Sequence, residues 1–123
     1  MHNAIQWFEI PVHDMDRAQR FYETVLARPM RREDVDGEAL AVFAYDKPGV
    51  GGCLQAGANT PAMRCQGVRI YLDGGPSIDA TLARIEGAGG RIAQPKSALP
   101  KDVGFIAHLL DIEGNEIGLH ALT

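Results

Sequence analysis

Glu9, His108 and His120 are the side chains of this chain best suited to proton transfer. A carboxylate within hydrogen-bond reach of an imidazole makes a general acid–base pair. Around them stand residues suited to gripping a small molecule: Trp7, Phe43, Tyr45, Arg69 and Tyr71. Aromatic faces hold planar ligands, and a guanidinium supplies fixed donors. Their spacing is informative. Trp7, Glu9 and Pro11 alternate along one run, as do Gly67, Arg69 and Tyr71, then Ile106, His108 and Leu110, then Gly118 and His120. A strand sends every second side chain to the same face, so each set shares a face.

The elements that must carry these residues occur twice. Residues 5–32 read strand, helix, strand, and residues 67–93 repeat the reading. Each copy is followed by two further strand-like runs around a glycine-containing turn. The first helix is predicted from an Asp14 cap to about Arg28, ahead of Pro29. Ala18, Phe21, Tyr22, Val25 and Leu26 form its apolar stripe, with Arg17, Arg20 and Glu23 in solvent. Strands follow at 29–32, 38–45 and 50–56. A small, Pro-containing linker over 57–65 separates module one (1–56) from module two (66–123). In module two a strand over 68–72 leads to a helix from Ser77, with Ile78, Leu82 and Ile85 buried. Gly87 to Gly90 stop that helix. A strand over 90–93 precedes a proline-bearing loop at 96–103. Strands over 104–111 and 116–122 then flank the turn Ile112-Glu-Gly-Asn115.

The bulk properties narrow the function classes. A chain of 123 residues, 46% hydrophobic, fits one domain with one core. A net charge of −4 with no basic stripe argues against nucleic acid as a partner. No run approaches the ~20 apolar residues of a membrane span. Met1-His-Asn-Ala-Ile-Gln enters a strand without a charged leader segment. Cys53 and Cys65 show no CxxC spacing, so a reduced, cytoplasmic setting is expected.

Three segments together resemble a known superfamily: Val12-His-Asp-Met-Asp-Arg-Ala-Gln-Arg-Phe-Tyr22, the Gly89-Gly90 exit from the second helix, and Leu110-Asp-Ile-Glu-Gly-Asn-Glu-Ile117. The chain resembles the vicinal oxygen chelate superfamily of glyoxalase I, extradiol dioxygenases and bleomycin- and fosfomycin-resistance proteins. Trp-Phe-Glu-Ile-Pro-Val and Ile-Gly-Leu-His are similar to its small glyoxalase-like branch. The resemblance implies an α+β fold of two paired βαβββ modules, curled into a mostly antiparallel, eight-stranded open cup. It also implies a homodimer whose partner adds walls to the cup.

In that superfamily a divalent metal sits on the concave face, held from the first, fourth, fifth and eighth strands. Carried over by motif, those positions are Trp7, Cys53, about Gly67 and Gly118. Indole and glycine cannot ligate a divalent ion, and one thiol cannot hold it alone. A one-residue slip offers Phe8, Val68 and Ile117, which are also non-ligands. No metal or other cofactor is therefore expected. The same mapping turns Trp7, Glu9, Arg69, Tyr71, His108 and His120 into the cup, with Phe43 and Tyr45 in its aromatic wall. Structural roles are open beside these. Glu9 and Arg69 also suit an ion pair across neighbouring strands. His108 suits a hydrogen-bonded packing residue, and Cys53 a small buried hydrophobe. Three functions compete: a metal-independent binder of small organic molecules; an enzyme of lyase or dioxygenase type using an atypical metal or acid–base set from Glu9, His108 and His120; and an interaction module.

Overall fold

In the computed structural model, which describes residues 3–58 and 68–123, the duplicated sequence becomes a duplicated fold. Module one contains β1 (Trp7–Pro11), α1 (Met15–Leu26), β2 (Arg31–Val35), β3 (Glu38–Val42) and β4 (Gly51–Ala56). Module two contains β5 (Tyr71–Asp73), α2 (Ile78–Leu82), β6 (Arg91–Ala98), β7 (Phe105–Leu110) and β8 (Glu116–Ala121). Each module builds one four-stranded sheet, in the orders β1-β4-β3-β2 and β5-β8-β7-β6. β1 runs parallel to β4 and β5 to β8, and the other pairs are antiparallel. The α+β architecture is thus a curled, mostly antiparallel open cup rather than a closed barrel.

The helices form because their apolar residues recur at the helical period. Met15, Ala18, Phe21, Tyr22 and Val25 of α1 are all buried. Asp14 caps the helix by accepting from the Arg17 amide at 3.1 Å. Ala27 ends it in the left-handed region, at φ 55°. α1 packs on β3 and β4, α2 packs on β6 and β8, and the two helices touch each other. One core results, joining Ile10, Val12 and Leu54 of module one to Ile78, Leu109 and Leu119 of module two. Fully burying each large aliphatic side chain contributes about 1.5–3 kcal/mol. The sheet faces turned away from the helices carry the residues with chemical potential.

The turn after β7 does more than reverse the chain. Tyr22 Oη donates to the Asp111 carboxylate at 2.6 Å. Asn115 Nδ2 donates to the Pro11 carbonyl at 3.0 Å. Glu113 accepts from the amides of His13 at 2.6 Å and Asp14 at 3.1 Å, and from Arg17 at 2.7 Å. Arg17, expected in solvent, therefore joins a clasp. The clasp fixes the entry to α1 against module two.

Several boundaries differ from the sequence expectation. Residues 96–98, expected as loop, extend β6, and Pro100–Asp102 form a 3-10 turn. β6 pairs only with β7, its register slips twice between Ile92 and Ser97, and all eight residues are exposed. An edge strand with irregular pairing tolerates Pro95, whose presence made the segment read as loop. β2 starts at Arg31 because the Glu23 carboxylate still holds the Met30 amide at 2.8 Å. α2 proper stops at Leu82, and turns carry the chain to Gly89 at φ 105°. β5 is confined to Tyr71–Asp73. Of the expected linker, residues 59–65 lie outside the described residues, as does Gly67.

Candidate functional site

The open face of the second sheet gathers four of the expected residues. Strand register sets Tyr71 beside Gly118, and Gly118 beside His108. One step along, Asp73 stands beside His120, and His120 beside Ile106. Gly118 matters through its missing side chain. A Cβ there would lie 2.4 Å from the Tyr71 ring, so the ring lies flat over the glycine. That brings Tyr71 Oη to 3.0 Å from His108 Nε2. Tyr71 is 46% exposed, whereas His108 is 6% exposed.

The protonation pattern follows from the neighbours. Burial lowers the His108 pKa below the ordinary imidazole value, and the Arg69 guanidinium lowers it further; Glu116 opposes both. His108 is thus neutral at pH 7. Its Nδ1 lies 3.9 Å from the Glu116 carboxylate, which favours the proton on that nitrogen. Nε2 then accepts, and Tyr71 donates to it. Glu116 also holds Arg69 by an ion pair. Arg69 is raised above its usual value chiefly by that hydrogen bond. His120 Nε2 lies 2.8 Å from the Val103 carbonyl. A carbonyl only accepts, so this nitrogen carries hydrogen and leaves Nδ1 as the other position. Beside these groups is a cavity of about 540 Å³, lined by Tyr71, Leu72, Asp73, Leu99, Ile106 and His120.

The open face of the first sheet is built by the same alternation. Trp7 pairs in register with Gly51, and Glu9 with Cys53. Trp7 meets Tyr45 edge-on at 6.2 Å between ring centres. The Cys53 thiol is fully buried and donates weakly to Glu9 at 3.8 Å. Burial, and then the Glu9 charge, push the thiol up to about 11, so it is an inert proton carrier at neutral pH. A second cavity of about 510 Å³ lies between the modules, with Tyr45 and Gly51 on one side and Tyr71 and Asp73 on the other.

Three expectations need correction. Phe43 does not share the face of Glu9, although it lines the 510 Å³ cavity between the modules. Its neighbour Val42 is the register partner of Cys53, so Phe43 turns to the opposite face, where it meets Phe8 and Tyr22 in the core. Tyr45 escapes that alternation because β3 has ended at Val42. Glu9 and Arg69 do not form an ion pair: Glu9 takes Cys53, and Arg69 takes Glu116. Glu9 also stands on one sheet while both imidazoles stand on the other. Among the described residues, no three His, Cys, Asp or Glu side chains cluster closely enough to hold a metal ion. Glu116 is the site residue that the sequence reading missed. The signal was present, since Glu116, Gly118 and His120 alternate along β8.

The residues at the four positions that the resemblance maps to metal ligands do not fit a divalent ion. Trp7 offers an indole, and the Tyr71 ring fills the space above Gly118. Cys53 offers one protonated thiol. Gly67 has no side chain to offer.

Comparison with known proteins accords with the fold. Residues 5–26 match the family model described as bleomycin resistance protein-like N-terminal. No curated protein sequence matches the chain. A glyoxalase/bleomycin resistance protein from Albidiferax ferrireducens T118 superposes with a TM-score of 0.72 at 20% identity, covering 97% of this chain and 99% of that one. The chain has the vicinal oxygen chelate fold. Other bearers of the fold include TnmS3, an antibiotic binding protein from Streptomyces sp. CB03234, with TM-score 0.69, 23% identity and 98% of each chain covered. A glyoxalase I variant from Zea mays gives TM-score 0.73 at 20% identity over 94% of this chain. The present chain spans 46% of that maize protein. The vicinal oxygen chelate fold here includes, among the described residues, no helix long and apolar enough to cross a membrane.

Proposed function

We propose that this protein binds a small organic molecule against the Tyr71–His108–His120 face, without a metal at the superfamily positions. The observation that carries this reading is the 540 Å³ cavity beside the Tyr71–His108 hydrogen bond. An apolar hollow with a few convergent polar groups is how small-molecule sites are built. The antibiotic binding protein of the same fold supports the reading. Trp7 and Tyr71 leave large apolar surface on the open faces, which suits closure of the site by a second copy in a homodimer. The buried free thiol of Cys53 suits a reducing, cytoplasmic setting.

A thermal-shift screen against a diverse organic library tests the proposal. A ligand at a hundred times its Kd stabilises the folded state by about 2.7 kcal/mol. For a domain of this size that raises Tm by roughly 10 °C. Ile106→Trp fills the cavity from its floor and is expected to abolish the shift. Elemental analysis of protein purified without chelator is expected to give less than about a tenth of an equivalent of any transition metal. A library without a single stabiliser, or a shift that survives Ile106→Trp, overturns the assignment.

A further inference from the structure

The polar groups around the 540 Å³ cavity have a direction, and that direction selects a class of ligand. Tyr71 spends its only hydroxyl proton on His108 Nε2, 3.0 Å away. His108 keeps this polarity because its Nδ1 faces the Glu116 carboxylate and Arg69 stands close by. Gln94, its register partner on β6, carries no charge. His120 spends its Nε2 proton on the Val103 carbonyl at 2.8 Å. Asp73 supplies a carboxylate, already held by the Gly75 amide at 2.9 Å and by Arg28 at 3.3 Å. Tyr71, His120 and Asp73, the polar groups that line the cavity, each have a proton or their charge committed to the protein. What remains is acceptor capacity: the lone pair of the Tyr71 oxygen that Arg69, which also donates to that oxygen, leaves free. The rest of the lining is apolar, from Leu72, Leu99 and Ile106. The nearby charges are paired, Arg69 with Glu116 and Arg28 with Asp73, so no unbalanced charge calls for an ionic ligand.

We propose that the cavity selects neutral ligands whose polar end donates a hydrogen bond, an aryl alcohol being the simplest case, with the hydroxyl donating to the Tyr71 oxygen. The apolar body then lies on Leu72, Leu99 and Ile106. Tyr71 is the specificity-determining residue, and His108 is the positioning residue that fixes its hydroxyl. This inference rests on the ligand-binding reading of the same cavity.

Three probes of one shape test it: 2-naphthol, its methyl ether and 2-naphthoate. Binding is followed by protein amide NMR, which also shows where each probe lands. A hydrogen bond lost on methylation weakens binding about tenfold. The alcohol is therefore expected to bind about tenfold tighter than the ether, and tighter than the carboxylate, with shifts at Leu72, Ile106 and His120. Tyr71→Phe keeps the ring over Gly118 and removes the acceptor, so the alcohol-to-ether ratio is expected to fall toward one. Protonating His108 makes Nε2 a donor and turns the Tyr71 proton outward, so the preference is also expected to shrink as pH falls below 6.5, the ordinary imidazole value. Equal or tighter binding of the ether or the carboxylate at these residues overturns the ligand class while leaving the site in place. A ratio unchanged in Tyr71→Phe overturns the role of Tyr71. Absence of shifts at these residues with all three probes overturns the site itself, and the ligand class with it.

Discussion

Replacing Glu113 by glutamine is a sharp test of how the two modules are held together. The side chain is 1% exposed, although it sits in a turn. Its two oxygens accept from His13 N, Asp14 N and Arg17. Glutamine is nearly isosteric but replaces one oxygen with an amino group. Donor then faces donor at one or two of those contacts. A hydrogen bond to a charged group contributes about 1.5–3 kcal/mol. The Arg17 pair counts for less, at most about 1 kcal/mol, because the arginine is 45% exposed. The expected cost is about 3 kcal/mol at pH 7. For a chain of this length that is a fall in Tm of roughly 12 °C. The pH dependence carries a sign. Burial raises the Glu113 pKa, but the His13 amide, Arg17 and the Asp14 amide outweigh it and hold it below the usual 4.5. A depressed carboxylate contributes stability above its unfolded value and loses it as pH falls through its folded value. The gap between wild type and Glu113→Gln is therefore full at pH 7 and closes below about pH 4.5. Thermal or urea unfolding followed by circular dichroism at pH 7 and pH 3 measures both. A gap under about 0.5 kcal/mol at pH 7, or one that stays constant to pH 3, refutes the clasp.

Two further outcomes are expected. The His108 imidazole should titrate below 6.5 by NMR, because burial and Arg69 lower it; a midpoint at or above 6.5 contradicts the neutral His108–Tyr71 pair. In a Cys65→Ser background, Cys53 should resist thiol reagents at pH 8 until the protein unfolds, since its thiol is buried and pushed up to about 11. Labelling of the native protein at the rate of a free thiol would show that the first sheet's face is open to solvent at Cys53.

Local patterning alone established the duplicated module, both helices and the faces of the strands. These are local properties. A period of two or of 3.6 is written in neighbouring residues, so Trp7 with Glu9 and Gly118 with His120 were legible without coordinates. Tertiary structure decided the partners. Arg69 takes Glu116 rather than Glu9, His108 takes Tyr71, and Glu113 reaches back a hundred residues to the start of α1. It also set Val42 beside Cys53, which turned Phe43 toward the core, and it ended β3 there, which left Tyr45 beside Trp7. The physical reason is that a hydrogen bond or ion pair depends on the register between strands far apart in sequence. That register is set by how two sheets and two helices fill one core, and no local pattern encodes it.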